Sequence, residues 1–127
     1  MLHEQVRTLT EGANFAALTT LMPDGQPQTH IMWVGCDEGH ILINTEVHRR
    51  KFKNVQADPR VTVAIWDVNN AYSFVEVRGR VVETITGPAA LDSINALSRK
   101  YTGDDYKPEI QSERVILVIA PDRQVTR

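Results

Sequence analysis

Residues 61–82 read VTVAIWDVNNAYSFVEVRGRVV, and the fold is decided there. Val61 to Trp66 is an unbroken, largely β-branched apolar run, the composition of a strand covered on both faces. Asn69-Asn70 supplies a turn. From Tyr72 to Val82 the pattern alternates. Tyr72, Phe74, Glu76, Arg78 and Arg80 oppose Ser73, Val75, Val77 and Val81, with an irregularity expected at Gly79.

The flanking segments repeat this strand–turn texture. Phe15 to Leu21 is apolar and β-tolerant, Pro23-Asp24-Gly25 is turn chemistry, and Pro27 to Val34 reads as the returning strand. Asp37-Glu38-Gly39 makes a second turn before a strand over His40–Asn44. Leu2, Val6 and Leu9 at helical spacing predict a short helix over 2–10. A polar stretch from Thr45, anchored by Phe52 and Val55, predicts a helix ending near Ala57, where Asp58-Pro59 stops it. Pro88 opens a third helix that runs through Leu91, Ile94 and Leu97 towards Tyr101, with Gly103 just beyond. Arg114 to Ala120 is a final buried strand. Strands joined by turns, with few helices between them, predict a mainly β, antiparallel barrel rather than a doubly wound parallel sheet.

The chain has 127 residues, 42% hydrophobic and 24% charged, which fits a single domain over 1–127. A domain this small leaves much surface uncovered, so dimerisation would help complete its core. The net charge of -2 gives no global basic field, and no nucleic-acid partner is expected. Cys36 is the only cysteine, so no disulfide framework is possible. With no apolar leader at the N-terminus and no membrane-length apolar run, the expectation is a cytoplasmic protein without membrane contact.

Chemistry-bearing patterns are sparse. His48-Arg49-Arg50-Lys51-Phe52-Lys53 concentrates cations where a helix begins, which is unfavourable against the helix dipole unless an anion is present. Converging Arg and Lys side chains over free helix amides would make a phosphate cradle. On spacing alone, a solvated helix face is the simpler reading of the segment, and the motif is weak in isolation. Trp33 has a structural reading as a barrel core residue and a functional one as the wall of a slot for a flat ligand. His30, His40 and His48 lack metal-ligand spacing, so no metal site is expected. Cys36 reads as an inert thiol. No dinucleotide, P-loop or serine-hydrolase motif occurs, and no carboxylate pair stands out. No residue is therefore assigned a catalytic role, and any reaction would be carried by a cofactor.

Four segments, FAALTTLMPDGQPQTHIMWV (15–34), ILINTEVHRRKFKNVQADPRVTVAIW (41–66), YSFVEVRGRVVE (72–83) and SRKYTGDD (98–105), together resemble the pyridoxamine-phosphate-oxidase-like family. The nearest likeness is to its subgroup using the 8-hydroxy-5-deazaflavin coenzyme F-420. The basic helix, the N-x-x-x-D-P-R of Asn54–Arg60 and the E-x-R-G of Glu76–Gly79 carry most of it. The resemblance implies an FMN-type split β-barrel homodimer, with a cofactor site at each subunit interface. It places Met32, Trp33, Val34, Gly35, Asn44 and Thr45 along the ring system and its side chain. Arg49 and Lys51 would lie on the phosphate, with Tyr72, Ser73 and Arg114 also lining the site, some of them from the partner. The substrate-phosphate residues of the oxidase itself have no match. The implied activity is an oxidoreductase passing hydride from F-420 to an unsaturated small molecule. The alternatives are an FMN-dependent oxidoreductase and a flavin- or haem-binding module without turnover.

Overall fold

The computed structural model describes residues 1–127. Its elements are α1 (Glu4–Glu11), β1 (Phe15–Leu21), β2 (Pro27–Trp33), β3 (Gly35–Cys36), β4 (Ile41–Glu46), α2 (Arg50–Ala57), β5 (Arg60–Asp67), β6 (Asn70–Ile85), α3 (Pro88–Thr102) and β7 (Arg114–Thr126). All seven strands form one sheet in the order β2-β1-β5-β6-β7-β4-β3, with every pairing antiparallel. The fold is the expected mainly β split barrel.

The β1–β2 turn uses Gly25 at φ 89°, and Asp24 Oδ1 accepts the Gln26 amide at 3.0 Å. The long strands β6 and β7 curl because their register slips at Arg78/Gly79 and again at Val81/Glu83. At the first slip only glycine fits, since a Cβ on Gly79 would sit 2.1 Å from the Ala120 carbonyl oxygen. The curled inner face buries Leu18, Ile43, Val63, Ile65, Val75, Val77, Leu117 and Ile119, and α1 adds Val6 and Leu9. On the outside, α3 starts at Pro88 and ends at Gly103 in the left-handed region (φ 87°). Its Ala90 packs on Ile116 and Val118, which is why β7 is buried on both faces there.

Several sequence expectations need correction. The run 61–66 is not covered on both faces. Val61, Val63 and Ile65 are buried, but Thr62, Ala64 and Trp66 are half-exposed because no element of this chain lies over them. Helix α2 begins at Arg50 rather than near Thr45, since Thr45 and Glu46 still pair with Val115 and Arg114. The strand expected over His40–Asn44 is β4 and runs on to Glu46, a two-residue strand β3 that was not expected precedes it, and β7 continues beyond Ala120 through Pro121.

Candidate active site

The curl draws β2 towards β4, and between them opens a cavity of about 620 Å³. Thr29 to Trp33 of β2 form one wall and Asn44 and Thr45 of β4 the other. Arg49 and Lys51 stand at the start of α2, Ile94 and Leu97 of α3 lie behind, and Tyr106, Pro108 and Arg114 border it. No Asp or Glu lines it.

The cations have the geometry of an anion site. Helix α2 has no side-chain N-cap and no acidic residue in its first turn, so its first amides meet the positive side chains Arg49 and Lys51 uncompensated. Lys51 is 5% exposed, yet its ammonium has neither an ion-pair partner nor a hydrogen-bond acceptor. Its stem is therefore buried while its charge opens on the cavity, which contradicts a merely solvated helix face. Burial, reinforced by the nearby charges of Arg49 and Arg114, holds the Lys51 pKa below the usual lysine range. Arg114 is also buried, with Nε donating to Asn44 Oδ1 at 2.8 Å and Nη1 to Glu46 Oε2 at 3.3 Å.

The aromatic wall is fixed from behind. Trp33 stacks on Tyr101 at 5.1 Å between centroids and 4° between planes, and Tyr106 meets it edge-on at 6.3 Å. The Val34 amide donates to the Tyr101 hydroxyl (3.1 Å), which itself donates to the Asn14 carbonyl, and the Val34 carbonyl accepts from Lys100 Nζ (2.6 Å). These bonds satisfy the backbone where the chain leaves β1's side for β4's, and they hold Trp33 in place.

Of the residues singled out in sequence, Met32, Trp33, Asn44, Thr45, Arg49, Lys51 and Arg114 converge on the cavity. Val34 does not, because its side chain is fully buried in the core and its amide and carbonyl are both engaged by α3. Gly35 lies in a separate cavity beside Cys36 and Leu42. Tyr72, 91% exposed, and Ser73 stand at the far end of β6, away from this chain's cavity. Sequence reading gave no role to Glu46, Lys100, Tyr101 or Tyr106. The segment SRKYTGDD contained two of them but carried no spacing that revealed their partners.

No helix of the chain is long and apolar enough to cross a membrane. A comparison with curated protein sequences gives no match. Among solved structures, a protein described as an F420 reductase is similar over 99% of this chain and 100% of its own, at 29% identity and a TM-score of 0.86. A conserved hypothetical protein of Mycobacterium tuberculosis is 26% identical over 98% of this chain and 82% of its own, with a TM-score of 0.74. HutZ, the haem storage protein of Vibrio cholerae, shares the fold at 9% identity, covering 98% and 94% of the two chains with a TM-score of 0.66. The pyridoxamine 5'-phosphate oxidase family matches residues 2–125. With that match spanning nearly the whole sequence, and the curled antiparallel sheet agreeing with it, the chain belongs to the pyridoxamine 5'-phosphate oxidase family.

Proposed function

We propose that this chain is a subunit of an oxidoreductase that holds the deazaflavin coenzyme F-420 in the cavity between β2 and β4. The observation that carries the reading is Lys51, a buried lysine without a partner that opens, beside Arg49 and Arg114, on a cavity free of carboxylates. A phosphate-bearing ligand resolves that imbalance through charge-assisted hydrogen bonds. The family gives the site an oxidoreductase context, and the likeness to the F420 reductase favours the deazaflavin over FMN.

In this reading Arg49 and Lys51 take the phosphate, and Met32 and Trp33 offer the wall for a flat ring. Asn44, Thr45 and Arg114 supply polar contacts on the opposite side. Val34 and Gly35 support the wall from behind. Tyr72 and Ser73 reach the cavity of a second copy, which makes the working unit a homodimer. When bound, the coenzyme supplies hydride exchange with an unsaturated small molecule. The chain's own work is to bind, orient and exclude water, and positioning of this kind is worth several kcal/mol, about 7–11 in the best intramolecular cases.

Equilibrium titration with F-420, FMN and haemin separates the readings. We expect saturable F-420 binding at one per chain, weaker FMN binding, and turnover of an enone or quinone by the reduced deazaflavin. Coenzyme deuterated at its hydride-donating carbon should label the product directly. FMN as the tightest ligand would move the protein to the flavin-dependent branch, and haem binding without turnover would make it a binding module. Failure of all three to bind would overturn the cavity's assignment.

A further inference from the structure

Residues 103–113, which join α3 to β7, carry Tyr106 and Pro108 to the cavity's mouth, yet belong to no helix or strand and are mostly exposed. A carboxylate from β4 holds the far end of this loop. Glu46 Oε1 accepts the backbone N–H of Gln111 at 2.9 Å, that of Ser112 at 2.7 Å and the Ser112 hydroxyl at 3.3 Å. Its other oxygen accepts Arg114 Nη1. Glu46 is 2% exposed, and a carboxylate is stable in that position only when its lone pairs are used. Here both oxygens are engaged.

Arg114 is held at a second point. Its Nε donates to Asn44 Oδ1, and Asn44 is itself fixed by donating to the Ala90 carbonyl at 2.9 Å. Two of the three guanidinium nitrogens are thus bound to β4. The third, Nη2, has no protein acceptor and belongs to a residue that lines the cavity. The Tyr106 ring lies 5.2 Å from the guanidinium carbon, so the loop and Arg114 also touch each other. Glu46 does not line the cavity, but it bonds to both parts that do.

We propose that Glu46 is a positioning residue for the cofactor site, an inference that rests on the cavity's proposed assignment. Through Oε2 it aims the free Nη2 edge of Arg114 at the bound cofactor. Through Oε1 it clamps the 103–113 loop so that Tyr106 closes the cavity. The two oxygens divide the work, and substitutions can separate it. Glu46→Gln can keep an oxygen facing the loop amides while setting an NH2 against Arg114, donor to donor. Glu46→Ala releases both.

The test pairs cofactor titration with hydrogen exchange of the loop. Glu46→Gln should weaken binding of F-420, or of FMN if that is the ligand the wild type takes, by about tenfold. Loop exchange in that variant should stay within about twofold of wild type, whereas Glu46→Ala should speed it by about tenfold. Glu46→Gln combined with Arg114→Ala should bind no more weakly than Arg114→Ala alone, because the glutamate acts through the arginine. Additive losses would overturn the Arg114 arm. The clamp is also checked without any variant or cofactor: the Gln111 and Ser112 amides should exchange about tenfold more slowly than those of Glu109 and Ile110. Equal exchange would overturn it, while a protein that binds neither F-420 nor FMN would instead sink the cavity's assignment.

Discussion

In the proposed site, Lys51 would weaken the free protein and strengthen its cofactor complex. Burial and the charges of Arg49 and Arg114 lower its pKa, so the folded chain holds this proton less tightly than the unfolded chain does. Between the lowered value and the ordinary one near 10.4, the unfolded state binds more protons, and stability rises with pH through that window. At neutral pH the charged form therefore costs stability. Lys51→Met keeps the length of the stem and removes the charge. The free variant should melt no lower than wild type, and about 4 °C higher if about 1 kcal/mol is relieved. Its cofactor affinity should fall by about tenfold to a hundredfold, the scale of a charge-assisted phosphate contact. Thermal melts and titrations on one preparation decide this, and a lower melting temperature with unchanged affinity would return Lys51 to a structural role. Because the protonated form is the one that binds an anion, wild-type affinity should fade as pH rises, starting below the usual lysine range. Lys51→Arg should remain tight through that range, since arginine keeps its proton.

At the scale of elements, the curl that makes the cavity depends on the β6–β7 pair and on Gly79 in particular. The atom that a Cβ there would meet is backbone, the Ala120 carbonyl, and cannot rotate away as a side-chain end could. Gly79→Ala should lower stability by at least about 2 kcal/mol in urea unfolding, with cofactor binding loosened as β2 and β4 drift apart. An unchanged urea midpoint would mean that β7 yields freely at this point. The irregularity was legible in sequence because a glycine interrupts a clean alternation. The continuation of β7 was not, because Pro121 is a residue that paired strands normally exclude, and it is tolerated here only where the register slips. Nor was β3, since two residues carry no period. The site divides in the same way. Arg49 and Lys51 stand out as clustered cations, and Trp33 as an aromatic on a strand. Glu46 and Tyr101 act through partners 65 and 87 residues away, and no local pattern encodes such a contact.

For the molecule as a whole, the outer face of the sheet is the unfinished surface. One row across it runs Trp33, Phe15, Trp66, Phe74, and the next runs Ile31, Ala17, Ala64, Glu76. Phe15 is 36% exposed and Ile31 59%, and Tyr72, two residues along β6 from Phe74, is 91% exposed. An apolar patch of this extent on a small chain marks a contact surface. A second copy of the chain is the occupant we predict, since it would also bring Tyr72 and Ser73 to the opposite cavity. A standard interface needs roughly 800 Å² from each partner, about a ninth of the 7007 Å² this chain exposes. Ala64→Lys tests the idea without breaking the sheet, because the new cation sits opposite Glu76, a tolerated cross-strand pair. Wild type should sediment at twice the 14.3 kDa chain mass at micromolar concentration. The variant should sediment as a folded monomer whose cofactor affinity falls, the phosphate cradle persisting in each chain but the partner's contribution gone. A wild-type monomer with full cofactor affinity would mean that each chain completes its own site, and that Tyr72 and Ser73 take no part in it.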